Sequence, residues 1–146
     1  VGLLGEIFEE DIDDKVGAEL PSGVPIVGML DGLPLENHAA LRNRIIVDDP
    51  DEFGNDYPAS LRMHGTAMAS MLVHGDLAAP EPSTASRPVY VRPVMRPDAV
   101  FGMKETYPEN VLIVDLIHRA VRRMFERRRR SAGCSNSPCY QSFHRR

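Results

Sequence analysis

Val24-Pro25-Ile26-Val27-Gly28-Met29-Leu30-Asp31-Gly32 decides the architecture expected of this chain. A short, almost wholly apolar run ends at an acid and a glycine. Without polar alternation, such a run suits a strand buried on both faces, as in a parallel sheet. Working outward, Arg44-Ile45-Ile46-Val47 reads as a second short strand. Val89-Tyr90-Val91-Arg92-Pro93-Val94-Met95 reads as a third, weakened by Pro93. His64 to His74 reads as a helix, because Ala67, Met68, Ala69, Met71 and Leu72 are good formers and Gly75 can end it. Glu109 to Glu126 is the clearest helix. Val111, Val114, Ile117, Val121, Met124 and Phe125 recur at three- and four-residue steps, and Pro108 sits near the start, where a missing N–H costs little. Strands alternating with helices predict a parallel α/β sheet.

The chain has 146 residues, 42% hydrophobic and 26% charged, which fits one ordinary domain with a buried core. No apolar stretch approaches a membrane span, and the composition excludes a wholly disordered chain. The net charge of -4 hides a division. Residues 1–126 hold 11 Lys and Arg against all 21 Asp and Glu, whereas residues 127–146 hold six Arg and no acid. Three segments are therefore expected: an acidic N-terminal segment over 1–21, a folded domain over 22–126, and a basic tail over 127–146. In the first, Leu3, Leu4, Ile7 and Phe8 allow a short helix, though a solvated surface segment is preferred. The cysteines, Cys134 and Cys139, both fall in the tail, so the first 133 residues give no disulfide evidence for secretion. No signal segment is read ahead of the domain, and the expectation leans to the cytoplasm.

Two local patterns carry chemistry. Met29-Leu30-Asp31-Gly32 puts an acid at the carboxyl end of a strand, the edge where parallel sheets gather ligands and catalytic groups. His64-Gly65-Thr66-Ala67-Met68-Ala69-Ser70 puts a histidine at the mouth of a helix, with Gly65 leaving space beside the imidazole and Ala67 and Ala69 letting the helix pack closely. An acid that orients a histidine, which then acts as general base, is two thirds of a nucleophilic triad. With 32 residues between Asp31 and His64, the two patterns resemble the subtilisin-like serine peptidases, whose triad runs Asp, His, Ser along the chain. Val89 to Met95 and Glu109 to Glu126 are similar to the strand and helix that follow the family's histidine, so the resemblance covers residues 22–126. At the first motif this chain has Asp31-Gly32-Leu33 where the family usually has Asp-Ser/Thr-Gly.

The resemblance implies a doubly wound, parallel-sheet, subtilisin-like α/β fold, serine endopeptidase activity and a polypeptide substrate. It makes Asp31 the histidine-orienting acid and His64 the general base. The family's nucleophile in a Gly-Thr-Ser motif and its oxyanion-hole Asn both lie downstream, and neither motif follows His64 here. The chain is thus expected to be the N-terminal part of a peptidase domain, inactive by itself. The alternative is a non-catalytic pseudo-peptidase or peptide-binding module.

No cofactor is expected. His38, His74 and His118 match no compact metal-ligand spacing with His64. The acidic run Asp48, Asp49, Asp51, Glu52, Asp56 could hold a structural calcium, but it lacks the ordered pattern of a calcium loop, and a solvated loop is preferred. Arg127 to Arg130 could form a nucleic-acid patch, and Cys134 with Cys139 a redox or metal pair. A shifted reading frame explains more. Read one base later, the codons of Cys139-Tyr140-Gln141-Ser142-Phe143-His144-Arg145 permit Val-Ile-Asn-Leu-Ser-Ile-Gly, which resembles the family's next core strand. The tail is then out of frame from about Glu126 or Arg127, and neither nucleic acid nor membrane is expected as a partner.

Overall fold

The computed structural model describes residues 19–76, 83–98 and 103–133, with side chains to residue 126. The short N-terminal helix and the tail cysteines lie outside these residues. Among the described residues are five strands and two α-helices: β1 (Val27–Asp31), β2 (Ile45–Val47), α1 (Met63–His74), β3 (Val89–Pro93), β4 (Arg96–Asp98), β5 (Lys104–Thr106) and α2 (Ile113–Gly133). Two short 3-10 turns, Phe53–Asp56 and Ala59–Leu61, lead into α1. The fold is mixed α/β.

The three expected strands form one parallel sheet in the order β1-β3-β2. Asp31 pairs with Pro93 at the far end of the register. Proline is tolerated there as the last residue of its strand. All five residues of β3 are buried: β3 has a strand on either side, α1 packs on Val89 and Val91, and Tyr90 and Arg92 bond to Asp48 and Asp51 of the acidic loop. Burial on both faces, expected of the Val24–Leu30 run, therefore belongs to β3 and not to β1. β1 is an edge strand, and Val27 and Gly28 are exposed.

The two helices cover opposite faces. Ala69 and Val73 of α1 pack with Met29, Leu41, Ile45, Val89 and Val91. Leu116 and Ala120 of α2 pack with Val94, with Leu30, Met95, Val111 and Ile117 around them. Met124 fills the space over Gly28, where a Cβ would overlap its side chain. α1 ends as expected at Gly75, whose φ of +65° suits glycine and whose N–H donates to the Met71 carbonyl at 2.8 Å.

α2 departs from expectation in three ways. It starts at Ile113 and not Glu109, because Val111 N–H turns back to the Pro108 carbonyl at 3.3 Å. It runs unbroken through Arg127–Arg130, since arginine is a good helix former. Its buried side centres on Leu116 and Ala120, while Val114, Val121 and Phe125 of the expected apolar face are exposed. The three-stranded sheet is too narrow to cover that whole face. An apolar cleft of about 420 Å³ remains between the start of β1 and the later turns of α2, lined in part by Ile26, Val27, Val121, Met124 and Phe125.

The antiparallel hairpin β4–β5, with Pro97 paired to Glu105, was not expected from the sequence. The acidic loop is also less solvated than expected. Asp48 is buried, accepts from Tyr90 Oη, and takes Nε and Nη2 of Arg123 at 2.6 and 3.0 Å. Asp49 accepts the N–H groups of Phe53 and Gly54, and Asp51 pairs with Arg92. The loop's acids thus tie β2, β3 and α2 together.

Candidate active site

Asp31 ends β1 and His64 is the second residue of α1, so the parallel register and the βαβ connection bring them to one end of the sheet. Their closest approach is 3.4 Å, from His64 Nε2 to Asp31 Oδ2. That is longer than an ordinary hydrogen bond. Catalytic contacts in free enzymes are commonly loose and tighten around substrate. The Asp31 side chain is 11% exposed and that of His64 is 56% exposed. The acid is held and the base is open to solvent. Asp31 Oδ1 accepts the Gly32 N–H at 2.7 Å, which aims Oδ2 at the imidazole. Val94 N–H donates to the Asp31 carbonyl at 2.9 Å and ties the two strand ends.

The start of α1 is pressed against the backbone after β1. A Cβ on Gly65 would lie 2.6 Å from the Gly32 carbonyl oxygen, a clash with main chain that cannot move aside. Gly65 therefore makes room for the Gly32–Leu33 backbone, and not for the imidazole as the sequence suggested. Thr66 secures the contact: its hydroxyl donates to the Arg62 carbonyl at 2.7 Å and accepts the Leu35 N–H at 2.9 Å. Of the two alanines expected to allow close packing, Ala69 is fully buried and Ala67 is exposed.

Below the pair, Arg62 donates to the Tyr57 carbonyl at 2.8 Å and the Gly54 carbonyl at 3.1 Å, and lies over the Tyr57 ring. This wedges the buried Tyr57 against Gly32. Glu105 of β5 reaches the same gap at Gly32. Burial, and secondly the charge of Asp31, push the Glu105 carboxyl above its ordinary pKa. Neither Tyr57 nor Glu105 was singled out in the sequence. Lys104-Glu105-Thr106 carries no signal beyond a polar turn, and Tyr57 follows an acidic loop.

The other histidines do not join His64. The His74 side chain is fully buried. Its Nε2–H donates to the Ala40 carbonyl at 2.7 Å, leaving Nδ1 to accept from the Thr84 hydroxyl at 3.4 Å. Burial is the main cause holding its pKa below the ordinary value, and the charge of Arg44 adds to it, while the hydrogen bond to Ala40 opposes them. It is a neutral bolt between α1 and its neighbours. His38 Nδ1 accepts the Ala40 N–H at 3.3 Å, and His118 is exposed on α2. Among the described residues, no three His, Cys, Asp or Glu side chains are grouped to hold a metal. No described helix is long and apolar enough to cross a membrane.

The apolar cleft lies at the opposite end of β1 from Asp31 and takes no part in this arrangement. An oriented imidazole at an open sheet edge can accept a proton from a hydroxyl or water brought to its free nitrogen. Comparison of the chain with protein-family models, curated proteins and solved structures finds no match.

Proposed function

We propose that the chain carries the acid and the base of a serine endopeptidase site of the subtilisin-like kind, residues 22–126 being the N-terminal part of the doubly wound domain. The observation that carries this reading is the approach of Asp31 Oδ2 to His64 Nε2 at 3.4 Å, at the carboxyl end of a parallel strand. In that role Asp31 accepts a hydrogen bond from His64 Nε2–H, fixing the tautomer and stabilising the imidazolium as it forms. Nδ1 is then the nitrogen that takes the nucleophile's proton and returns it to the leaving amine. In the usual triad the acid holds Nδ1–H and Nε2 is the base, whereas here the ring presents Nε2 to the carboxylate.

The substrate in this reading is a polypeptide, and neither a cofactor nor nucleic acid is needed. Acyl transfer also needs an activated serine, and Ser70, Ser83, Ser86, Ser131, Ser135, Ser137 and Ser142 all lack the family's nucleophile motif. In subtilisin, loss of the serine lowers turnover about a millionfold. The chain by itself is therefore inactive.

The nucleotide sequence beyond codon 126 tests the reading. In the shifted frame it is expected to encode the Val-Ile-Asn-Leu-Ser-Ile-Gly strand, then an oxyanion Asn and a Gly-Thr-Ser nucleophile motif. A shifted frame without such a serine overturns the endopeptidase reading in favour of a non-catalytic pseudo-peptidase.

A further inference from the structure

Gly32 leaves a gap beside the Asp31–His64 pair, and two side chains from distant parts of the chain fill it. A Cβ on Gly32 would overlap Glu105 Oε1 and lie 2.5 Å from the Tyr57 hydroxyl. Both atoms are buried, and neither has a hydrogen-bond partner among the described residues. A buried polar atom without a partner is costly, so its retention needs a reason. A surface hairpin that only had to close could point this carboxylate into water at no cost. Here Oε1 points inward, into the gap at Gly32, close enough to Asp31 to feel its charge.

We propose that Glu105 is a positioning residue of the Asp31–His64 pair: its carboxyl occupies the side-chain gap at Gly32, and its charge sets how tightly Asp31 holds the imidazolium of His64. The inference rests on the reading of Asp31 and His64 as an acid–base pair. Two carboxylates sharing one site do not both ionise freely. While Glu105 keeps its proton, the site carries one negative charge, on Asp31, which Gly32 N–H already orients. When Glu105 ionises, a second negative charge appears behind Asp31, and a proton on His64 is held more firmly.

Among the described residues, the titratable groups at the gap with Glu105 are Asp31 from β1 and Tyr57 from between the two 3-10 turns, with Arg62 over the Tyr57 ring and His64 beyond Asp31. On its own hairpin, Arg96, Asp98 and Lys104 stand one register position away and alternate to the other side of the pleat. Burial favours the protonated form of Glu105, and Asp31 adds to that. The gap is what admits the carboxyl. Gly32 does not adopt a positive φ, so its backbone accepts a side chain, and the space is the constraint.

The test is the rate at which diethyl pyrocarbonate modifies His64, resolved by peptide mass spectrometry in the full 146-residue chain, from about pH 5 to 8. In Glu105→Gln, which keeps the shape and removes the titrating charge, the midpoint is expected to fall by about half a pH unit. Gly32→Ala, which pushes the carboxyl out of the gap, is expected to move the midpoint in the same direction. Asp31→Asn is expected to move it further than either. Asp31→Asn with its shift, but both other variants without one, overturns the role of Glu105 and leaves the pair intact. A wild-type midpoint in Asp31→Asn overturns the pair, and the role of Glu105 with it. A lowered melting temperature in Glu105→Gln with an unmoved midpoint marks a merely structural residue and also overturns the proposal.

Discussion

The two faces of the sheet are finished to different degrees. On one, α1 is pressed down through Ala69 and Val73, and its first turn is locked to the β1 end by Gly65 and Thr66. On the other, α2 buries Leu116 and Ala120 and reaches Asp48 through Arg123, yet leaves Val114, Val121 and Phe125 exposed beside an apolar cleft. The difference teaches where the chain's order comes from. The α1 face is closed by contacts of α1 with β1, β2 and β3. The α2 face belongs to a sheet whose β1 edge is unpaired among the described residues, and an edge with exposed apolar groups invites association.

The comparison can be broken most forcefully at its anchors. Leu116→Ala is expected to cost about 2–5 kcal/mol, against a total stability of about 5–15 kcal/mol, because Leu116 is the main buried side chain of α2. Urea titration followed by circular dichroism measures it, and a loss within 0.5 kcal/mol of zero, roughly the surface value, contradicts the assigned face. Gly65→Ala is expected to cost about 1–3 kcal/mol by the same measurement, since the added methyl meets the Gly32 main chain. It should also loosen the pair, so His64 modification loses its dependence on Asp31.

A pH titration sharpens the α1 face. His74 has a lowered pKa in the folded chain, so the unfolded chain binds its proton first as pH falls below the ordinary 6.5. Stability is therefore lost as pH drops from about 7 through that window. Melting temperatures should fall from neutral pH toward pH 5, and His74→Gln should flatten the fall. Glu105 works in the opposite sense: its raised folded pKa penalises the folded chain as pH rises through 4.5 and above, so Glu105→Gln relieves a cost on the alkaline side. The smallest effect belongs to the open face. Val114→Ser is expected to change stability by about 0.5 kcal/mol or less while reducing self-association in sedimentation. A large loss of stability would mean that Val114 is covered after all.

What the sequence disclosed depended on how local each signal was. The apolar runs ending at Asp31, Val47 and Pro93 give strands because short β-branched segments without polar alternation have few other uses. α1 was readable from its good formers and Gly75. Which strand is central was not, because order in a sheet is set by long-range pairing, and β3 lies between two strands that precede it. The buried side of α2 was misread for a similar reason: periodicity finds an apolar stripe, but the width of the sheet decides how much of it is covered. Asp48 looked like one more acid in a solvated run, because its partners Tyr90 and Arg123 lie 42 and 75 residues away. Asp31 and His64 were picked out by their motifs, and the fold brings them within 3.4 Å of each other. Glu105 was not, since only the folded chain brings a hairpin carboxyl into the gap at Gly32.

Serine-directed fluorophosphonate labelling tests the central claim most directly, applied to the 146-residue chain and to the product made when the frame is shifted near residue 127. The present chain is predicted not to label, and the restored product to label in a manner abolished by His64→Ala. Labelling of the present chain that depends on His64, or a restored product that never labels, would contradict the account of Asp31 and His64 as the acid and base of a site whose serine is encoded beyond the frame.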